Sequence, residues 1–380
     1  MKRLWLFALL TVLASCGGGG GSSNTLDITQ IPSASTSPTP VWTLERVTPG
    51  DVDTAQGDVD AILDHVFGDQ AVQAAVLVKF GYIIGERYAV NYSGADLTTS
   101  WSVAKSFYSA AIGVAIDEGW ITSLDQKASD LLTEWQGTNK EDITIRNMLE
   151  MRAGLPENVG VFFETDQTAY ALSQTLVNTP GTTFLYSNAN SQLFELLLLR
   201  ATGLSAHVYL TEKILDPIGI DMTQVGLWFD STGVNPMTYC CIDMRAEDFA
   251  RFGLLYARGG IWDGVQVISQ AYVNESLAPQ SAFYGLQWWV LNQNFFGTAA
   301  PVTVSAALGL NGQKIYVWPD EDVVLVVLTI YDHFQNQGYV LSDSNWPDTC
   351  TARNTCPSST GPAVPPFDEF QLINLLSNLR

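Results

Sequence analysis

Residues 98–120, TTSWSVAKSFYSAAIGVAIDEGW, set one of the chain's seven lysines, Lys105, inside an almost wholly apolar run. From residue 103 to 116 that run is long enough for about four helical turns. Its polar members Ser102, Lys105, Ser106 and Ser109 follow the i, i+3, i+4, i+7 spacing of a single stripe on a helix. The rest is Val, Ala, Phe, Tyr and Ile, too apolar for a surface helix, so a central, buried helix is expected. Desolvation there lowers a lysine pKa and makes the amine a usable base beside a hydroxyl. A plainer reading stands beside it, in which Lys105 snorkels out of an ordinary amphipathic helix. Ser-x-x-Lys is also a cheap motif. With 27 serines and seven lysines in 380 residues, chance supplies about half an occurrence, so the rest of the chain must decide.

The first residues, MKRLWLFALLTVLASCGGGGGSSN, read as a targeting segment. Lys2 and Arg3 are followed by an apolar stretch, residues 4–13, too short to span a bilayer as a mature helix. Leu13-Ala14-Ser15-Cys16 resembles a bacterial lipoprotein cleavage box, in which the cysteine becomes the acylated N-terminus. An ordinary secretory peptide cut nearby, with Cys16 incidental, is the alternative. Gly17, rather than an aspartate, points by analogy with Gram-negative lipoproteins to the outer membrane, facing the periplasm. The expectation is a signal peptide over 1–15, lipidation at Cys16 and a flexible Gly/Ser/Thr/Pro tether over 16–45.

Beyond the tether, 47% apolar, 11% aromatic and 15% charged residues describe ordinary globular material with ample core. A net charge of −21 with no basic cluster excludes nucleic-acid binding. No later run is apolar enough to cross a membrane, leaving the lipid as the expected anchor. Export permits disulfides. Cys350 and Cys356, bracketing the polar loop CTARNTC, are the first candidates for a bridge; adjacent Cys240 and Cys241 are expected not to pair without strain. His65, His207 and His333 are scattered, so neither a metal nor a cofactor is implied.

Along the chain, DVDAILDHVFG reads as a helix and AAVLVKFGYIIGERYAV as two strands turning near Gly81. Helical and loop signals fill residues 120–244. AEDFARFGLLYARGG and SQAYVNESLA are helical; YGLQWWVLN, QKIYVWP and DVVLVVLTIYD are strands; DEFQLINLLSNL is a closing helix. Strands at both ends with helices between them indicate an α/β class, a mixed sheet flanked by helices. The expected division is an α/β domain from 46–118 plus 245–380 and an inserted helical subdomain over 119–244. An active site would sit in the cleft between them.

A second polar group, Tyr186-Ser187-Asn188, follows a Pro180-Gly181 turn and opens a strongly apolar helix. Ser187 or Asn188 serving only as a helix cap is the plain reading. Tyr272-Val273-Asn274 repeats the Tyr-x-Asn spacing inside a helical stretch, and loop context favours Tyr186. No Gly-x-Ser-x-Gly elbow and no phosphate-cradling loop occurs.

Taken together, SWSVAKSF, AIDEGWITSLDQKASDLL, ITIRNMLEMRAGL, PGTTFLYSNAN, RAEDFARFGLLYARGG with WDG, YGLQWW and GLNGQKIYVWPDEDVVLVV resemble the serine β-lactamase and penicillin-binding-protein superfamily. The similarity is to the branch holding class C β-lactamases, family VIII-like esterases and 6-aminohexanoate-dimer hydrolases, and it runs over residues 60–333. It implies a mainly antiparallel sheet of β-lactamase/transpeptidase type with the all-helical subdomain inserted. It also implies Ser102 as acylated nucleophile, Lys105 as its base, Tyr186 as a second proton-transfer group and Asn188 as an orienting residue. The chain departs from the family where a Lys-Thr-Gly or His-x-Gly strand faces the nucleophile. Here VSAALGLNGQK places Ala307-Leu308-Gly309 instead, with no cation unless Lys314 swings in. Gly309 or a neighbour is then the expected oxyanion N–H donor.

The departure shifts the expectation from carboxylate-bearing β-lactams toward an esterase or amidase working on less charged small-molecule esters, amides or lactams. The aromatics Trp101, Tyr284, Trp288, Trp289, Phe295 and Phe296 are candidate pocket walls, although core packing, usual for aromatic pairs in strands, is the favoured reading of each. The alternatives are β-lactamase or DD-peptidase-like activity, or a catalytically slow penicillin-recognising lipoprotein.

Overall fold

The computed structural model describes residues 41–69, 71–157, 160–329 and 367–380. Cys16, His333 and the candidate bridge Cys350–Cys356 lie outside the described residues. In chain order the principal elements begin with α1 (Gln56–Phe67), β1 (Val72–Lys79), β2 (Tyr82–Tyr88) and α2 (Ala104–Asp117). Next come α3 (Asn188–Gln192), α4 (Phe194–Thr202), α5 (Ala206–Leu210), α6 (Ala246–Ala257) and α7 (Gln270–Leu277). The chain closes with β3 (Trp289–Leu291), β4 (Val304–Leu308), β5 (Lys314–Trp318), β6 (Val323–Thr329) and α8 (Glu369–Leu376).

The main sheet has six strands in the order β2-β1-β6-β5-β4-β3, every neighbour antiparallel. β1 pairs with β6 through Val76 opposite Val326, so the first and last parts of the sheet meet at its centre. β1 and β6 are buried along their whole length, which is why Ala74 to Val78 and Val323 to Leu328 read as unbroken apolar runs rather than alternating ones. Alternation survives in which face each residue serves. Val324, Val326 and Leu328 enter the large core with Phe249 and Phe252 of α6. Val323, Leu325 and Val327 enter a second core with Val59 and Ile62 of α1 and Leu372 and Ile373 of α8. The architecture is thus helices, sheet, helices, the α/β class expected, with the main sheet antiparallel throughout.

Helix α2 lies in the large core and is buried from Ala104 to Ala115. Its polar stripe divides in two. Ser106 donates to the Gln287 carbonyl at 2.7 Å and Ser109 to the Leu286 carbonyl at 2.9 Å, so both tie the helix to its neighbours. Only Ser102 and Lys105 are left for chemistry. A small three-stranded sheet of Thr98–Thr99, Ile242–Met244 and Gly226–Leu227 had no signal in the sequence, since strands of two or three residues leave no periodicity. Among the described residues no single helix is long and apolar enough to cross a membrane.

Where α6 crosses the sheet it does so at Gly253. A Cβ there would lie 2.5 Å from a Val324 methyl and 2.9 Å from an Ile315 methyl. Gly→Ala inside a helix ordinarily stabilises by about 1 kcal/mol. Here crowding reverses the sign: Gly253→Ala is expected to destabilise by about 1–3 kcal/mol. A denaturant titration showing a raised midpoint would contradict this close approach.

Candidate active site

The site begins with the chain's entry into α2. Ser100 is pinned to the small sheet, its N–H donating to the Ile242 carbonyl at 2.8 Å while its Oγ accepts from the Ile242 N–H at 2.8 Å. Trp101 follows at φ +45°, a region L residues rarely occupy, and a 3-10 turn over Trp101–Val103 leads into the helix. The turn leaves Ser102 partly exposed and Lys105 one helical turn further on, 1% exposed.

Lys105 Nζ lies 2.8 Å from Ser102 Oγ, 2.8 Å from Asn188 Oδ1 and 2.7 Å from the Tyr239 carbonyl. Burial pushes its pKa well below 10.5, and no carboxylate opposes that shift. A neutral amine has two N–H donors and one lone pair. The two carbonyl oxygens can only accept, so they take the two N–H bonds and leave the lone pair for the Ser102 hydroxyl. The contacts therefore suit proton transfer from Ser102 to Lys105. The snorkelling reading fails, because the amine ends in the interior.

Of the two residues that open α3, Ser187 is the cap, its Oγ accepting from the Asn190 N–H at 3.2 Å. Asn188 is thereby released to reach Lys105. Tyr186, just before them, is half-buried with its ring 5.0 Å from Lys105 Nζ. Burial raises its pKa above 10, and hydrogen bonding with Ser102 works against that rise. It stacks on Trp289 at 5.7 Å and meets Tyr284 edge-on at 6.3 Å. The competing Tyr272 is a core residue whose hydroxyl donates to the Ser109 carbonyl at 2.7 Å.

Gly309 stands beside Ser102, in another role than expected. Its N–H already donates to the Gln313 carbonyl at 2.7 Å, which corrects its assignment as the oxyanion donor. What the glycine supplies is room, since a Cβ would lie 2.5 Å from the Ser100 carbonyl and 3.3 Å from Ser102 N. Lys314 is turned away from the site and paired with Glu369 of α8. Among the candidate wall residues, Trp288 is core, stacked on Phe252, whereas Trp289 is partly exposed beside Phe283 and Phe184. Among the described residues no cluster of three or more His, Cys, Asp or Glu could hold a metal.

Two features went unread in the sequence. A backbone carbonyl such as that of Tyr239 carries no side-chain signature. Cys240 and Cys241, expected not to pair, are joined to each other by a disulfide. The positive φ of Cys241, +96°, brings the two neighbours within reach, a backbone conformation that residue type does not announce.

The beta-lactamase family model matches residues 73–338. The 6-aminohexanoate-dimer hydrolase of Paenarthrobacter ureafaciens is 24% identical over 331 residues, covering 76% of each chain. A penicillin-binding protein homologue from Caulobacter crescentus superposes with a TM-score of 0.58 at 17% identity, over 72% of this chain and 91% of that one. An octameric penicillin-binding protein homologue from Pyrococcus abyssi gives 0.55 at 17% identity, over 72% and 73%. With the family model spanning most of the sheet and all of the Lys105 surroundings, the chain belongs to the beta-lactamase family of serine hydrolases.

Proposed function

We propose that the protein is an exported esterase or amidase that cleaves weakly charged acyl substrates through a covalent acyl-enzyme on Ser102. The observation that carries this reading is the desolvated Lys105 amine, held by two carbonyl oxygens with Ser102 Oγ 2.8 Å away. In the first step the Ser102 proton passes to Lys105 as Oγ bonds to the substrate carbonyl carbon. The resulting oxyanion faces the Ser102 N–H at the start of the helix. Collapse breaks the bond to the leaving group, which takes a proton delivered through Tyr186 and Lys105. Water then adds to the acyl ester, giving its proton back to the same pair. The acid departs and Ser102 regains its hydrogen. Asn188 keeps Lys105 aimed throughout.

The substrate preference follows from what faces the nucleophile. The end of β4 and the residue after it offer Ala307, Leu308 and Gly309 where a cation would grip a carboxylate, and Lys314 is engaged by Glu369. Beside Tyr186 stands Trp289, packed in turn against Phe283 and Phe184, an aromatic group suited to an apolar acyl or leaving group. The relative named for a 6-aminohexanoate dimer offers a precedent for a substrate other than a lactam. Export as a lipoprotein anchored through Cys16 is part of the proposal, supported by the N-terminal pattern and by a disulfide suited to an oxidising compartment.

Hydrolysis of p-nitrophenyl butyrate is expected from the wild-type protein and should fall about 10³-fold or more in Ser102→Ala. Equal turnover in both proteins would remove Ser102 as nucleophile. No turnover in either would favour the slow penicillin-recognising reading. The pH profile is a separate test. The base works only when neutral, so activity should fall as pH drops through the depressed lysine pKa and level off well below pH 10.5. A rate still climbing at the ordinary lysine value would contradict a desolvated Lys105. Cys16→Ala should move the protein from the membrane fraction to the soluble one; unchanged membrane recovery would refute the anchor.

A further inference from the structure

We infer that the Cys240–Cys241 disulfide is a positioning element that holds Lys105 in register with Ser102. This rests on the reading of Lys105 as the base. The four residues Tyr239 to Ile242 form one short span, one end of which touches Lys105 while the other grips the run-in to Ser102. At one end the Tyr239 carbonyl accepts from Lys105 Nζ at 2.7 Å. At the other, Ile242 exchanges two hydrogen bonds of 2.8 Å with Ser100, two residues before Ser102. The disulfide is the middle of the span.

Joining neighbouring cysteines closes a small ring that includes the peptide between them, and the ring restricts ψ of Cys240 and φ of Cys241. Those are the two central ones of the four soft torsions that set the Tyr239 carbonyl relative to Ile242. Cys241 sits at φ +96°, where an L residue without such a constraint rarely stays. Its carbonyl also accepts from the Trp228 N–H at 3.3 Å. Both sulfur-bearing residues are buried, packed with Val161, Met237 and Tyr239 and flanked by Trp101 and Phe162. With the ring open, φ of Cys241 is free to relax to negative values, turning one end of the span against the other. Lys105 would keep its burial and lose the direction of one acceptor.

The titratable groups facing Lys105 are the Tyr186 phenol, 5.0 Å from ring centroid to Nζ, and the Tyr239 phenol at 5.5 Å. Both phenols are held neutral by burial that raises their pKa values, so neither supplies a compensating charge. A loss of alignment is therefore read directly at the amine.

The test opens the bond in the purified full chain with a water-soluble phosphine. The disulfide takes up two electrons and two protons, and the phosphine becomes its oxide with oxygen from water. Alkylation and peptide mass establish which thiols appear. Two quantities are followed before reduction, after it and after reoxidation: ester turnover, and the titration midpoint of Lys105 from NMR of ε-13C-lysine. Opening should lower kcat about 10- to 100-fold while KM stays within about twofold, the pattern of a misaligned catalytic group. The Lys105 midpoint should move, and both changes should reverse on reoxidation. Cys240→Ala/Cys241→Ala should reproduce them without a reductant; should it fail to fold, the reduced wild-type protein decides. A lower melting temperature with unchanged kcat and an unchanged Lys105 midpoint would overturn the inference, leaving the disulfide a loop staple. Alkylatable thiols at 240 and 241 in the untreated protein would overturn it as well. If the oxidised enzyme hydrolyses no ester, the functional reading falls, and the Lys105 midpoint still decides whether the disulfide positions the amine.

Discussion

A primary amine stripped of water cannot keep its proton cheaply, and much of this structure is arranged around that fact. Lys105 is buried, and among the described residues its surroundings offer carbonyl oxygens but no carboxylate. An adjacent acid would hold the ammonium form and abolish the base. Neutral carbonyl acceptors satisfy the N–H groups while leaving the lone pair available. Helix α2 has to be apolar all round except at this point, and it spends Ser106 and Ser109 on backbone carbonyls to seat itself. Burial thus shapes both the packing of the helix and the reactivity of its one lysine.

The acceptors come from distant parts of the chain, which explains the construction around the site. Asn188 arrives on the first residue of α3, aimed by the Ser187 cap. The Tyr239 carbonyl arrives on the approach to the small sheet, whose middle strand also grips Ser100. The same small sheet therefore sets the position of the nucleophile's run-in and the lysine's second acceptor. β4 closes the remaining side, and only a glycine at 309 lets it approach the Ser100 carbonyl so nearly. Because these contacts join residues far apart in sequence, the site forms only once the whole fold has formed.

The absence of a cation from β4 and the aromatic face around Trp289 belong to one electrostatic picture. Under the proposed function, a carboxylate entering here would meet Leu308, Gly309 and ring faces rather than an ammonium, and would lose hydration without repayment. An uncharged acyl chain loses no such hydration and gains apolar contact with Trp289 and Phe283. Tyr186 is held within that aromatic group by Trp289 and Tyr284, so the cluster that would shape the proposed substrate space also orients Tyr186.

Periodicity and residue chemistry were enough to locate the long elements, because a strand such as 323–329 or a helix such as 104–117 carries its burial in its own composition. The Ser102–Lys105 pair was legible for a related reason, as a single turn of helix fixes their separation. Tyr186 and Asn188 were named from resemblance, while the division of labour between Ser187 and Asn188 was left open until the cap was seen. The carbonyl of Tyr239, the engaged N–H of Gly309 and the bond between Cys240 and Cys241 were not legible at all. Each depends on backbone torsions and on partners between 4 and 134 positions away, or on a φ of +96° that no residue type at that position announces. The sequence by itself therefore determined which side chains could do the chemistry. The tertiary structure decided which backbone groups aim them, because a main-chain carbonyl or amide is the same in every residue and only the fold gives it a direction.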